Sequence, residues 1–151
     1  MKKNLSKFRI NLVPQDTEVL VKRRGFFSHF KLFLKQDCPD DLFSLLETTV
    51  KSIPEVKEDL TQHPVGKGYY YVLTTPHGTI RFEINYGGKY VVSSVYPPTI
   101  SIETTPYIPP LEFLEEIKPA VKHLVKRTGF KIFFWDAMKF LEVDQLYGRM
   151  K

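Results

Sequence analysis

The residues best suited to acid–base chemistry in this sequence are four histidines, at positions 29, 63, 77 and 123. His77 lies at a predicted hairpin tip beside Arg81, and His63 lies in the loop before the predicted meander. Two histidines beside a cation can cleave RNA, one as base and one as acid, while the cation stabilises the charged phosphorane. The competing interpretation places each histidine at a surface or boundary, because their spacing forces no two of them together. No pair has metal-ligand spacing on one predicted face, so no metal site is predicted.

The single cysteine, Cys38, stands just before a predicted helix, where a thiol can lose its proton and become nucleophilic. Asp37, Asp40 and Asp41 surround it with negative charge that opposes the thiolate, which favours a capping or boundary role. One thiol cannot form an internal disulfide. The sequence also lacks a Walker-type phosphate loop, a His-Glu-x-x-His motif and a G-x-S-x-G motif. We therefore predict no catalytic residue and no cofactor.

Positive charge is concentrated in the N-terminal quarter of the chain. Residues 1–35 hold nine Lys and Arg against Asp16 and Glu18, whereas the remaining 116 residues hold 13 basic and 15 acidic residues. Phenylalanines interleave these cations, and such mixtures can hold phosphates and stack bases. Two alternatives stay open: the rings form core while the cations solvate a hairpin, or a basic amphipathic helix lies on an anionic membrane. The predicted binding residues are Lys22, Arg23, Arg24, Lys31 and Lys35.

The composition is typical of a folded domain. Of the 151 residues, 42% are hydrophobic and 14% aromatic, which excludes a disordered polymer. No apolar h-region follows the basic start, and no window approaches the length of a membrane span, so we expect a cytoplasmic protein. We expect a single domain over 1–151, with a basic N-terminal extension or extra hairpin over 1–37 and an α+β core over 38–151.

The first elements of the chain are predicted as strands, with one ambiguity. Residues 8–12 alternate as a strand should, and Pro14 ends it. Residues 17–22 can pair with residues 26–35 in a hairpin that would direct Phe30, Leu32 and Leu34 inward. However, the apolar residues of this second segment also fit a helical stripe, and their periodicity does not decide between strand and helix.

The centre of the chain predicts a four-stranded antiparallel β-meander. Its strands are residues 69–75, 79–86, 89–95 and 99–105, separated by Pro76-His77-Gly78, Gly87-Gly88 and Pro97-Pro98. In the second strand, Ile80, Phe82 and Ile84 alternate with polar residues. This pattern is typical of a sheet that has one face in water.

Helices flank the meander. The first is predicted from residue 39 to 53 with Asp37 or Cys38 as its cap, and Pro54 ends or kinks it before a short second piece to about Leu60. The second follows Pro109-Pro110 and ends before Gly129; it either kinks at Pro119 or begins near Lys118. Residues 130–147 are either a strand followed by a helix capped by Asp136, or helix throughout.

Two stretches carry a resemblance to a known family. Gly87-Gly88-Lys89-Tyr90 precedes Val95-Tyr96-Pro97-Pro98-Thr99-Ile100-Ser101-Ile102, and Gly129 to Leu141 contains Ile132-Phe133-Phe134. With the order of helix, meander, proline-rich crossover and helix, they resemble the RWD domains and the related ubiquitin-conjugating enzymes over about residues 39–147. The resemblance implies a non-catalytic member, because Pro106-Tyr107-Ile108-Pro109-Pro110 holds neither the His-Pro-Asn motif nor a following cysteine. It also implies that residues 1–37 are an addition and that residues 129–141 open the last helix.

These observations predict a non-catalytic protein–protein interaction module, a class that includes small inhibitors and immunity-type proteins that block a toxin. The basic N-terminal segment favours a partner with an acidic surface, and a homodimer also stays open. The alternative is a nucleic-acid-binding protein or small ribonuclease that uses the same basic segment.

Overall fold

A computed structural model describes residues 7–24, 27–35, 42–59, 68–85, 88–89 and 95–150, with side chains over 7–20, 31–35, 42–59, 70–85 and 97–149. The elements within these ranges are, in chain order, β1 (Arg9–Val13), β2 (Glu18–Arg24), β3 (Phe27–Phe33), α1 (Leu42–Lys51), β4 (Lys57–Glu58), β5 (Gly68–Thr75), β6 (Gly78–Asn85), β7 (Gly88–Lys89), β8 (Val95–Tyr96), β9 (Thr99–Thr105), α2 (Leu111–Thr128), β10 (Lys131–Phe134), β11 (Lys139–Leu141) and α3 (Val143–Met150). The predicted α+β class with an antiparallel sheet is confirmed.

Seven strands form one antiparallel sheet in the order β11-β10-β1-β9-β6-β5-β4. The chain passes from β9 through α2 to β10, and these two strands flank β1, with Ile10 opposite both Ile102 and Phe134. The arrangement is a split β-α-β unit. β1, which the sequence placed within an N-terminal extension, therefore lies inside the sheet. The strands on both sides supply hydrogen-bond partners for its backbone N–H and C=O groups.

One face of this sheet, named the inner face, carries the main core. Alternation along each strand directs every second side chain to this face, where α1 and α2 pack. On β6, Ile80, Phe82 and Ile84 are fully buried, as the sequence predicts. Burial of each such side chain contributes about 1.5–3 kcal/mol. Residues from β1, β9 and the helices complete the core: Phe8, Ile10, Leu12, Leu46, Val50, Ile100, Ile102, Phe113, Ile117 and Val121.

The opposite face of the sheet, named the outer face, carries a second and smaller core. Val13 of β1, Phe133 of β10 and Leu32 of β3 are buried there, and Val19 of β2 packs against them. Leu32 and Val19 lie opposite each other in the β2–β3 hairpin. The hairpin therefore packs onto one end of the outer face through the side chains of one of its own faces.

The hairpin predicted for residues 17–35 is confirmed, and the helical alternative is wrong. All seven residues of β3 pair with β2, from Phe27 opposite Arg24 to Phe33 opposite Glu18. The side chains of Leu32 and Leu34 are each only 3% exposed. Period-two burial of this kind needs a strand, because a helix would have turned these two residues to different sides.

The four-stranded meander is wrong in its third strand. β5, β6 and β9 do pair in succession, with Phe82 opposite both Tyr71 and Ile102. The described ends of the expected third strand, β7 and β8, instead pair with each other in a separate two-stranded sheet. Residues 90–94 lie outside the described residues. Pro97 and Pro98 lack the N–H that a ladder needs, so the chain re-enters the main sheet only at β9.

α1 ends at Lys51, and the second helical piece expected after it is wrong. Leu46, Thr49 and Val50 of the predicted apolar stripe are buried. After Pro54, Glu55 adopts a positive φ of 67°, which a right-handed helix cannot contain. The chain then forms β4, which pairs with β5. The expected caps, Asp37 and Cys38, lie outside the described residues.

α2 runs without interruption from Leu111 to Thr128 and contains Pro119, so the alternative start near Lys118 is wrong. The proline removes one internal hydrogen bond, but it lies on the exposed side of the helix while the opposite side is buried in the main core. Gly129 ends the helix as predicted. Its φ is 70°, and its N–H donates to the carbonyl of Val125 at 2.9 Å.

The C-terminal segment is a hairpin followed by a helix, so helix throughout is wrong, as is the helical opening implied by the RWD-like resemblance. β10 and β11 pair with Phe133 opposite Phe140, and Asp136 lies in their connecting turn instead of capping a helix. α3 begins later because the side chain of Gln145 reaches back and accepts a hydrogen bond from the N–H of Glu142 at 2.9 Å.

Candidate functional site

The strand register separates the predicted binding residues of the hairpin. Val19 and Leu32 define the face that packs on the sheet, so positions 18, 20, 22 and 24 of β2 belong to the opposite face, named the hairpin outer surface. Lys22 and Arg24 occupy register positions of this surface, opposite His29 and Phe27. Arg23 occupies a position of the packed face. The side chains of residues 21–30 lie outside the described part of the chain.

The described side chains of the hairpin outer surface combine charge with apolar area. Lys31 lies opposite Leu20, whose side chain is 39% exposed and adds apolar area to this surface. Lys35 is exposed and forms an ion pair of 3.4 Å with Glu18. Exposed ion pairs of this kind contribute at most about 1 kcal/mol. The Lys35 side chain can therefore leave Glu18 at little cost when a partner approaches.

Of the residues considered for RNA cleavage, the structure describes the side chains of His77, His123 and Arg81. His77 lies in the turn between β5 and β6 and contacts Glu116 of α2, on the inner side of the sheet. Arg81 lies on the outer face, where its Nη2 is 3.2 Å from Oε2 of Glu103. His77 and Arg81 therefore lie on different sides of the sheet. His63 lies outside the described residues.

The pKa of the Glu116 carboxyl is lowered by its neighbours on β5 and the β5–β6 turn. The Thr75 hydroxyl has the largest effect, burial opposes it, and the ring of His77 lowers the pKa further. Its Oε1 contacts His77, whereas Oε2 is buried and has no hydrogen-bond partner among the described residues. The contact ties α2 to the β5–β6 turn.

Ser52 and His123 are within hydrogen-bonding distance but are not arranged as a nucleophile and its base. Oγ of Ser52 lies 2.8 Å from Nε2 of His123 and also 2.6 Å from the carbonyl of Thr49. A hydroxyl has one hydrogen, and the carbonyl can only accept. Ser52 therefore donates to Thr49 and accepts from His123, which leaves no base to activate its hydroxyl. The pair links the end of α1 to α2 across a groove of about 440 Å³.

Within the described ranges, no three His, Cys, Asp or Glu side chains converge as a metal site would require. In the same ranges, no helix has the length and apolar character that crossing a membrane needs. Comparison with family models, with curated proteins and with solved structures finds no match to this chain. The RWD-like resemblance therefore stays a prediction.

Sequence reasoning did not single out a polar array on the outer face. Trp135 donates from Nε1 to Oδ1 of Asn11 at 3.1 Å, across 124 residues of sequence. Glu83 and Glu103 lie beside them and line the same pocket. The polar positions that alternate along β6 predict a solvent-exposed face of the sheet, but Asn11 and Trp135 are distant in sequence and no local pattern connects them.

Proposed function

We propose that this chain is a non-catalytic protein-binding module that takes an acidic partner on the hairpin outer surface. One observation carries the proposal: the register that packs Val19 and Leu32 onto the sheet leaves Leu20 exposed next to Lys31, on a face that also includes the positions of Lys22 and Arg24. An apolar centre with a cationic rim matches the anatomy of a protein interface, in which buried apolar contacts supply affinity and rim charges select the partner.

The second core supports this proposal because it anchors the hairpin before any partner binds. Leu32, Val13 and Phe133 are each no more than 3% exposed, so β3 is fixed to the sheet at Leu32. A surface that is ordered in advance loses less conformational entropy on association. A small inhibitor or immunity-type protein needs this property, since it must bind its target tightly with few residues.

Photo-crosslinking tests the proposal at single residues. A benzophenone amino acid replaces Leu20 in one variant and Leu111 in the control, because both side chains are similarly exposed but lie on different elements, at 39% and 43%. We expect an acidic protein to crosslink through position 20 only. A crosslinked second copy of the chain would instead identify a homodimer. Equal crosslinking through both positions would overturn the proposed surface.

Charge reversal separates the protein-binding reading from the nucleic-acid alternative. We expect Lys22→Glu/Arg24→Glu/Lys31→Glu to abolish the crosslink, whereas the control Lys57→Glu/Lys122→Glu/Lys139→Glu, which changes net charge equally at exposed lysines, leaves it intact. Fluorescence anisotropy with labelled RNA and single-stranded DNA is measured in parallel. Micromolar binding that weakens steeply with salt, through counterion release, would favour the nucleic-acid alternative.

A further inference from the structure

We infer that the outer face of the sheet carries a binding site for a neutral, hydroxyl-rich ligand, the chemistry of a mono- or oligosaccharide. The site is a pocket of about 380 Å³ beside the part of the outer face that the hairpin covers. This volume lies at the lower end of the range for small-molecule sites, which is room for one or two sugar rings. The inference does not depend on the hairpin outer surface, which faces away from the sheet.

The floor of the pocket is a buried amide whose orientation is determined. Asn11 lies at the centre of β1 and is only 5% exposed, yet it lines the pocket. The indole N–H of Trp135 can only donate, so the atom it meets at 3.1 Å is the amide oxygen Oδ1. The amide nitrogen is therefore the free end of this side chain, and no described residue accepts a hydrogen bond from it. Asn11 lines the pocket, so this nitrogen is placed to donate to a ligand oxygen.

Hydrogen-bond acceptors surround this donor. Ser101 lies directly opposite Asn11 on β9 and opposite Glu83 on β6, so amide, hydroxyl and carboxylate form one row across three strands. Neighbouring strands are about 4.8 Å apart. Asn85 donates from Nδ2 to the hydroxyl of Thr99 at 3.3 Å, which leaves its carbonyl oxygen as a further acceptor at the pocket. A sugar hydroxyl, which donates once and accepts twice, matches such a row of donors and acceptors.

The charges of the pocket disfavour a charged ligand. Glu103 lies between Arg9 and Arg81 across the strands, and the ion pair with Arg81 measures 3.2 Å. Burial raises the pKa of the Tyr70 hydroxyl, and the nearby Glu83 carboxylate raises it further. Because the lining contains the cation of Arg9 and the carboxylates of Glu83 and Glu103, an anion or a cation would gain from some neighbours and lose to others. A neutral polar ligand meets no such opposition.

The wall of the pocket is the ring of Trp135. Phe133 packs edge-on against it at 5.0 Å between ring centroids, and the Arg9 guanidinium lies 5.5 Å from its centroid. These contacts and the bond to Asn11 hold the indole in one orientation. Arg9 lies over the ring and Phe133 packs against it, so only the part of the indole that these two leave uncovered at the pocket offers an apolar surface for the C–H groups of a sugar.

Trp135 is the only tryptophan of the chain, so its signals report occupation of the pocket directly. Labelled protein is screened on a glycan microarray, and the glycan with the strongest signal is titrated while the fluorescence and the indole N–H resonance of Trp135 are followed. We expect a saturable shift that is insensitive to salt. We also expect Glu83→Gln to weaken binding about 10-fold, as loss of a hydrogen bond to a charged group does, while the exposed control Glu112→Gln leaves it unchanged.

Three outcomes would overturn the inference. The first is that no glycan moves the Trp135 resonance at millimolar concentration. The second is that Glu83→Gln binds as tightly as Glu112→Gln, with both variants folded by their amide spectra. The third is that adenosine or uridine shifts the resonance and no glycan does, which would assign the pocket to a different ligand class. Failure of any of these tests leaves the crosslinking test at Leu20 unaffected.

Discussion

Replacing Leu32 by alanine tests how the hairpin is held on the sheet. The Leu32 side chain is 3% exposed and packs with Val13 and Phe133, the other buried residues that the structure describes in this core. Leu-to-Ala changes in cores cost about 2–5 kcal/mol, and we expect about 2–3 kcal/mol here because a small core near the surface can partly relax. At the size of this chain, that loss lowers Tm by about 5–10 °C.

Leu20 provides a matched control in the same hairpin. It is the same residue type on the neighbouring strand, but its side chain is 39% exposed on the opposite face. We expect Leu20→Ala to change the free energy of unfolding by no more than about 0.5 kcal/mol. Urea unfolding followed by circular dichroism measures both variants. Equal losses, or a larger loss for Leu20→Ala, would refute the packing of the hairpin through the Leu32 face.

Three further predictions concern the main core and its helices. A Cβ on Gly78 would lie 2.5 Å from a backbone carbonyl, so Gly78→Ala should lower the free energy of unfolding by about 1–3 kcal/mol, while Gly148→Ala, with open space around it, should not. Tyr147→Phe should raise the free energy of unfolding by about 1 kcal/mol, measured by thermal unfolding, because the buried hydroxyl has no hydrogen-bond partner among the described residues. A lower free energy of unfolding for Tyr147→Phe would contradict this and show that the hydroxyl has a partner. The folded-state pKa of Glu116 is lowered, so its stabilisation exists above its unfolded pKa and disappears as pH falls through the folded value. Urea unfolding of wild type and Glu116→Gln should therefore converge in acid and diverge at neutral pH; a constant difference would contradict this.

The predictions that succeeded depend on local signals. The alternation of Ile80, Phe82 and Ile84 identifies β6 because a strand directs neighbouring residues to opposite faces. Gly129 marks the end of α2 because only glycine readily adopts the left-handed φ required there. Both signals are contained within a few residues, so no knowledge of the remaining chain is needed to read them.

Several choices stay open in the sequence because local signals do not decide them. Whether residues 27–33 form strand or helix depends on β2 and on Phe133, which lies about a hundred residues further along the chain. Pro119 remains inside α2 because burial on the other side of the helix outweighs one lost hydrogen bond. The order of the strands was also open, because backbone pairing is sequence-independent and any two antiparallel strands can form a ladder.

The sequence by itself therefore determined the α+β class, most of the strands and the two longer helices, because propensity, periodicity and turn residues act over short distances. Only the tertiary structure decided that β1 lies between β9 and β10, and which side of the hairpin remains exposed. It also brought Asn11 to Trp135, Arg81 to Glu103 and His77 to Glu116. Each of these contacts joins residues that are distant in sequence. Their proximity results from burial of the core, which determines the path of the chain, and no sequence pattern around either residue indicates the contact.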